Sequence, residues 1–142
     1  MADLAPLIRY RKFQLDEKRR FIARLYAEAD KVYGFKQRAL DEVAQERAFA
    51  DNTDDPHVIT GFLAYQGQMK KKISMIDVEI RRIDARIELA QDDLREEFAE
   101  LKKFEIVQRN RLRKRREEMD RREAALFDAQ ALEIYRRAFE NV

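Results

Sequence analysis

Cysteine and tryptophan are absent from the 142 residues, glycine occurs three times, proline twice and histidine once. Each scarcity excludes something. Without cysteine there is no disulfide and no thiolate metal site. A single histidine, His57, leaves no histidine-based metal cluster and no two-histidine chemistry. So few glycines and prolines cannot supply the turns of a sandwich, a barrel or a βαβ sheet. No run of about 18 apolar residues is present, so no membrane-spanning helix is expected. The first residues, MADLAPLIRYRKFQLDEKRR, lack the apolar core of about 7–15 residues that a secretory signal carries. No Walker loop, glycine-rich phosphate motif, HExxH or nucleophile–base pair is found, and two helices make no thick core in which to bury a reaction. Catalysis is therefore not expected, nor any cofactor or metal.

What the chain does have is charge and helical composition. Charged residues are 41% of the total, 30 Lys and Arg against 28 Asp and Glu, and a 45% hydrophobic fraction argues against disorder. Ala, Glu, Lys, Leu and Arg dominate, the signature of long helices or coiled coils. Only Ala50-Asp51-Asn52-Thr53-Asp54-Asp55-Pro56-His57 reads as a break. Pro56 suits the first position of a helix, with Asp55 before it as N-cap. Helix 1 is thus expected over about 4–50, a loop over 51–55 and helix 2 over about 56–139, in one coiled-coil domain spanning 1–142. Pro6 fits the first turn of helix 1, with Asp3 as its cap. Gly34 and Gly67 fall inside helical pattern, at a cost of up to about 1 kcal/mol each relative to Ala.

Two rows of seven-residue spacing mark a seam. In helix 1 they are Ile8, Leu15, Ile22, Ala29, Lys36, Val43 and Leu4, Arg11, Lys18, Leu25, Val32, Ala39. In helix 2 they are Ile73, Ile80, Ile87, Leu94, Leu101 and Ile76, Ile83, Ala90, Glu97, Phe104. Such stripes form a left-handed coiled coil. Folding about residue 53 pairs residues whose numbers add to about 106, which sets Leu25 near Ile80 and Ile22 near Ile83. Helix 1 is then exhausted near residue 102, where the strict repeat stops at Leu101 and an eleven-residue step leads to Leu112. The expected fold is all-α: a two-helix antiparallel coiled-coil hairpin whose second helix is longer and overhangs at its C-terminal end. At 1.5 Å per residue the paired part is about 70 Å long and the overhang roughly another 50 Å. The overhang has i,i+4 pairs such as Arg113–Glu117 to support it, yet it exposes Leu112, Met119, Leu126, Phe127, Leu132, Ile134, Tyr135 and Phe139. That predicts docking onto another protein or a second copy.

The charge is unevenly spread. Residues 108–122, QRNRLRKRREEMDRR, hold 8 bases and 3 acids, whereas 123–142 hold 2 bases and 4 acids. The basic segment is open to several readings: a solvated, ion-paired face, a nucleic-acid contact, an acidic groove on a protein, or anionic lipid. Nucleic acid is disfavoured, because acids interrupt the run and no Phe or Tyr is interleaved as a stacking platform. The acids Asp51, Asp54 and Asp55 lack the glycine and distal glutamate of a calcium loop, so capping is their expected role. His57 reads as a solvated loop residue. Phe62, Tyr65 and Met69 read as seam residues close enough to the hairpin tip to make a protein contact as well.

In three respects the chain resembles the FliJ family, the stalk proteins of the flagellar type III export apparatus, related to injectisome ATPase stalk proteins. It has the basic-aromatic stretch Leu7-Ile8-Arg9-Tyr10-Arg11-Lys12-Phe13 followed by Asp16-Glu17-Lys18-Arg19-Arg20. It has a short polar break near residue 53, then Tyr65-Gln66 and an apolar repeat at 69, 73 and 76. It has the family's layout, with a second, longer helix ending in a charged tail. The resemblance implies an antiparallel coiled coil that inserts in and activates the hexameric export ATPase. It also implies links to the membrane-embedded export gate and to export chaperones, at the cytoplasmic face of the inner membrane. The gate patch maps to Phe62, Tyr65, Met69, Ile73 and Ile76, with Gln68 and Lys72 departing from the family pattern. Ring contacts map to Arg9, Arg11, Arg109, Arg113, Lys114, Arg115 and Arg116. A stalk is expected to be a monomer when free. A self-associating coiled-coil scaffold and a basic-helix nucleic-acid binder are the alternatives.

Overall fold

The computed structural model describes residues 3–141. Helix α1 runs over Ala5–Asp51 and α2 over Pro56–Glu140, packed against each other, with no strand among the described residues. The ends are set by the residues the sequence offers. Asp3 Oδ1 accepts the Ala5 N–H at 3.0 Å, and the Leu4 carbonyl accepts the Ile8 N–H at 2.9 Å. The first satisfies a donor that the first turn leaves open, and the second is the first bond of the helix itself. At the break, the N–H groups of Asn52 and Thr53 donate to the carbonyls of Phe49 and Ala50, a tightened closing turn. Asp55 Oδ1 then accepts the His57 N–H at 2.9 Å while Pro56 holds the first helical position. Asp55 is therefore the N-cap, as expected.

The helices divide into two compact units, residues 13–97 and residues 3–12 with 98–141. In the first, α1 buries Leu15, Ile22, Leu25, Ala29, Ala39 and Ala50, and α2 buries Met69, Ile80, Ile83 and Ile87. Leu25, Ala29, Ile83 and Ile87 form one cluster, with Val32 and Ala90 packed against it. Burying each Leu or Ile stabilises by roughly 1.5–3 kcal/mol.

The register differs from the sequence expectation. Lys36–Asp77, Glu28–Arg86, Lys18–Glu97 and Tyr33–Asp84 pair residues whose numbers add to between 113 and 117, not to about 106. Leu25 accordingly shares its cluster with Ile83 and Ile87 rather than Ile80. Side chains tilt toward the N-terminus of their own helix, so in an antiparallel pair contacting residues lie further along both chains than level backbone counting suggests. The polar residues of the seam also select their partners. Lys18 Nζ lies 2.8 Å from Asp93 and 3.3 Å from Glu97, and Lys36 Nζ lies 2.7 Å from Asp77. Seam lysines thus meet seam-side carboxylates, a device that fixes alignment in coiled coils.

In the second unit the N-terminal turns lie on α2. Leu101 is buried, and Leu4, Leu7 and Ile8 are half-buried. Gln108 Oε1 accepts the Leu4 N–H at 3.3 Å, and Gln108 Nε2 donates to Asp3 at 2.8 Å. The Arg11 guanidinium stands 5.6 Å from the centre of the Phe104 ring, and Lys12 Nζ is 3.9 Å from Glu105. From Leu112 to Asn141 every residue except Glu133 is exposed.

Candidate partner-binding surfaces

The first candidate surface lies early in α2. Met69 is buried, and Phe62, Tyr65, Ile73 and Ile76 are half-buried. Their spacing turns them toward α1, so most of their area is spent on the seam. Phe62 and Tyr65 also line a shallow notch of about 370 Å³ with Glu46, Phe49, Ala50, Val58 and Gly61. The Tyr65 hydroxyl is covered from water beside the Glu42 carboxylate. Burial first, and the carboxylates of Glu42 and Glu46 next, push its pKa above the ordinary tyrosine value. The exposed apolar groups here are others: Phe49, Ile59 and Leu63, 63%, 41% and 60% exposed. The patch that the resemblance implies thus consists of half-buried and buried residues, with these three as exposed neighbours that the sequence reading did not single out.

The second candidate surface is in residues 3–12 with 98–141. Arg9, Arg109, Arg113, Lys114, Arg115 and Arg116 are exposed, and Arg11 is half-buried against Phe104. Asp3 gathers part of this set. The Ala5 N–H and the Gln108 amide hold its carboxyl below the ordinary aspartate value, outweighing burial, and the charges of Arg115 and Arg9 add smaller effects in the same direction. Of the i,i+4 pairs expected in the basic segment, Arg113–Glu117 closes at 3.9 Å. Further on, Glu133 takes both Arg136, at 2.9 Å, and Arg137, at 3.3 Å. Leu112, Met119 and Leu126 are 52–61% exposed, and Phe127, Leu132, Ile134, Tyr135 and Phe139 are 69–73% exposed. Phe127, Ile134 and their neighbours Ala131 and Ala138 fall on one helical face, a spacing suited to a groove on another protein.

Among the described residues no group of three or more His, Asp or Glu could hold a metal, and no helix is long and apolar enough to cross a membrane. The backbone N–H of His57 is engaged by Asp55 and its side chain is exposed. No known protein family, curated protein or solved structure matches the chain.

Proposed function

We propose that the chain is a stalk component of the flagellar type III protein export apparatus, inserting in the ring of the export ATPase and activating it. In this reading it also links the ring to the export gate and to export chaperones, at the cytoplasmic face of the inner membrane. The observation that carries the reading is the arrangement in residues 3–12 and 98–141. Asp3 and Leu4 are held on α2 by Gln108, and Arg11 and Lys12 of the basic-aromatic stretch by Phe104 and Glu105; α2 then continues as an exposed helix that is first strongly basic and then apolar on one face. Paired termini followed by such a helix offer a ring both a charged surface and shallow apolar anchors. The gate contact would use the residues around Phe62 and Tyr65, with Leu63 and Phe49 as exposed apolar groups beside them.

The test is co-purification with a hexameric export ATPase, and stimulation of its activity. A charge-reversal variant at Arg113, Lys114, Arg115 and Arg116, all exposed, should bind the ring at least about tenfold more weakly while keeping its helicity. Wild-type protein that neither binds nor stimulates such an ATPase would overturn the reading.

A further inference from the structure

The two rows that flank the α1 seam in residues 13–97 differ in chemistry. On one side stand Tyr26 and Tyr33, whose hydroxyls are engaged: Gln91 donates to Tyr26, and Tyr33 donates to Asp84 at 3.1 Å. On the other side, each one place before a seam position, stand Phe21, Glu28, Phe35, Glu42 and Phe49. The three rings are 43%, 53% and 63% exposed and have no polar atom to solvate. A two-stranded coil needs only two apolar rows per helix. A third is the pattern of a helix facing a larger bundle.

Helix α2 carries a matching row on the same side. Phe21 shares a notch with Leu89, and Phe49 shares one with Gly61. Both pairs of numbers add to 110, so the row Leu89, Arg82, Met75, Gln68, Gly61 keeps step with Phe21, Glu28, Phe35, Glu42, Phe49. Leu89 and Met75 are 70% and 74% exposed, and nothing lies within 4 Å of where a Cβ on Gly61 would stand. One row therefore alternates ring and acid. The other runs apolar, basic, apolar, neutral, hollow.

We infer that this face binds a second copy of the chain, the two hairpins related by a twofold axis along their length. That operation lays the α1 row of each copy on the α2 row of the other. Phe21 meets Leu89, Phe35 meets Met75, Phe49 enters the space over Gly61, and Glu28, whose pairing with Arg86 of its own chain is 3.6 Å long and half-exposed, gains Arg82 of the other copy as a second partner. The other twofold arrangement, with the axis across the hairpin, sets Glu28 against Glu42 of the second copy. Like charges in contact reject it. Arg82 is free to turn outward, since its side chain is 73% exposed and its pairing with Glu79 is 3.8 Å long. At roughly 200 Å² per aromatic side chain and slightly less for Met and Leu, the exposed parts of these five residues sum over two copies to about 1,000 Å², the lower bound for a specific interface. An interface at that lower bound makes a weak, reversible dimer. This departs from the expectation of a monomer when free: a stalk seated in a ring is a single hairpin, so pairing describes the chain away from its ring, and its failure leaves the ring-binding reading untouched.

Sedimentation equilibrium of the full chain tests this. The mass should rise from 17.0 kDa toward twice that value as concentration increases. Phe21→Gln with Phe49→Gln should weaken association at least about tenfold with helicity unchanged. Glu28→Lys, which touches no core residue but gives up the Arg86 pair of its own chain, should weaken it about fivefold with helicity unchanged, and Arg82→Glu should do the same without touching that pair; the two decide the matter if the double variant loses helicity. The chain's lack of cysteine permits a test of orientation. An oxidised mixture of Phe35→Cys and Met75→Cys chains should give a disulfide-linked dimer, and neither variant alone should. A wild-type mass fixed at the monomer, or association indifferent to Glu28→Lys, overturns the proposal. So does a linked dimer from Phe35→Cys alone, which would place the axis across the hairpin.

Discussion

Lys18 and Glu97 each occupy a seam position that heptad spacing assigns to an apolar residue, and they meet at 3.3 Å with side chains 30% and 19% exposed. Two unit charges at about 4 Å interact by about 1 kcal/mol in bulk water and about 4 kcal/mol at an effective dielectric of 20. This pair lies between those limits. Both groups lose hydration, and Asp93, 2.8 Å from Lys18, serves the lysine even when Glu97 is removed. The net coupling between Lys18 and Glu97 should therefore be about 1 kcal/mol. A double-mutant cycle with Lys18→Met and Glu97→Gln, read by urea unfolding and circular dichroism, measures it directly. The coupling should shrink in high salt but not vanish, because the pair is partly shielded from solvent. A register in which paired numbers add to about 106 would set Lys18 opposite Glu88. A coupling to Glu97 within the roughly 0.3 kcal/mol noise of such cycles, with a larger one to Glu88, would refute the alignment described here.

Further consequences follow from single groups. Gly67 is an exposed helix-interior position with nothing within 4 Å of an added Cβ, so Gly67→Ala should raise stability by about 0.5–1 kcal/mol, seen as a higher thermal midpoint. At Lys18 burial lowers the pKa but hydrogen bonds to Asp93 and Glu97 outweigh it, so the net direction is upward; Tyr33, bonded to Asp84, and the covered Tyr65 are also raised. A raised folded-state value means that the folded chain holds the proton more tightly. Stability from these groups is complete below the unfolded values of 10.0 and 10.5 and is lost as pH rises through the folded ones. Urea midpoints should accordingly fall on the alkaline side and stay level near neutrality as far as these groups are concerned, with Tyr33→Phe removing part of the fall.

The limits of both helices were legible because single residues set them. Asp55 and Pro56 can do little else than begin a helix, and α1 and α2 end within about a residue of the positions read from sequence. The seven-residue rows were equally plain. The register was not, because it was counted outward from the middle of the loop, as though level backbones met side chain to side chain. A better signal was present. The seam's irregular members, Lys18 with Glu97, Arg11 with Phe104 and Lys36 with Asp77, all pair at numbers adding to 113–115, and matching them would have set the alignment. The partner surfaces were harder to see. Residue type marks Phe and Met as contact groups, but position decides which way they face. Met69 is buried in the seam, whereas Phe21 and Phe49 stand beside Ile22 and Ala50, which take the seam places and leave the rings on the flank.

Exposed apolar surface on a charged chain needs a cause, and here it falls into two sets with different charge around them. Ion pairs such as Arg113–Glu117 contribute only a few tenths of a kcal/mol each and cannot by themselves make Leu112, Met119, Phe127 and Phe139 useful in water. That set, next to a strongly basic segment, suits a partner of opposite sign. The ring and acid row of Phe21, Glu28, Phe35, Glu42 and Phe49 instead faces a row on α2 that answers it in kind, and so suits the same chain. The two tests are therefore separable. Reversal of Arg113 to Arg116 should weaken binding to the ATPase while leaving the concentration dependence of mass unaltered, and Glu28→Lys should do the reverse. If one substitution set abolished both behaviours without loss of helicity, the two surfaces would have to be one, and the assignment of separate occupants to them would fail.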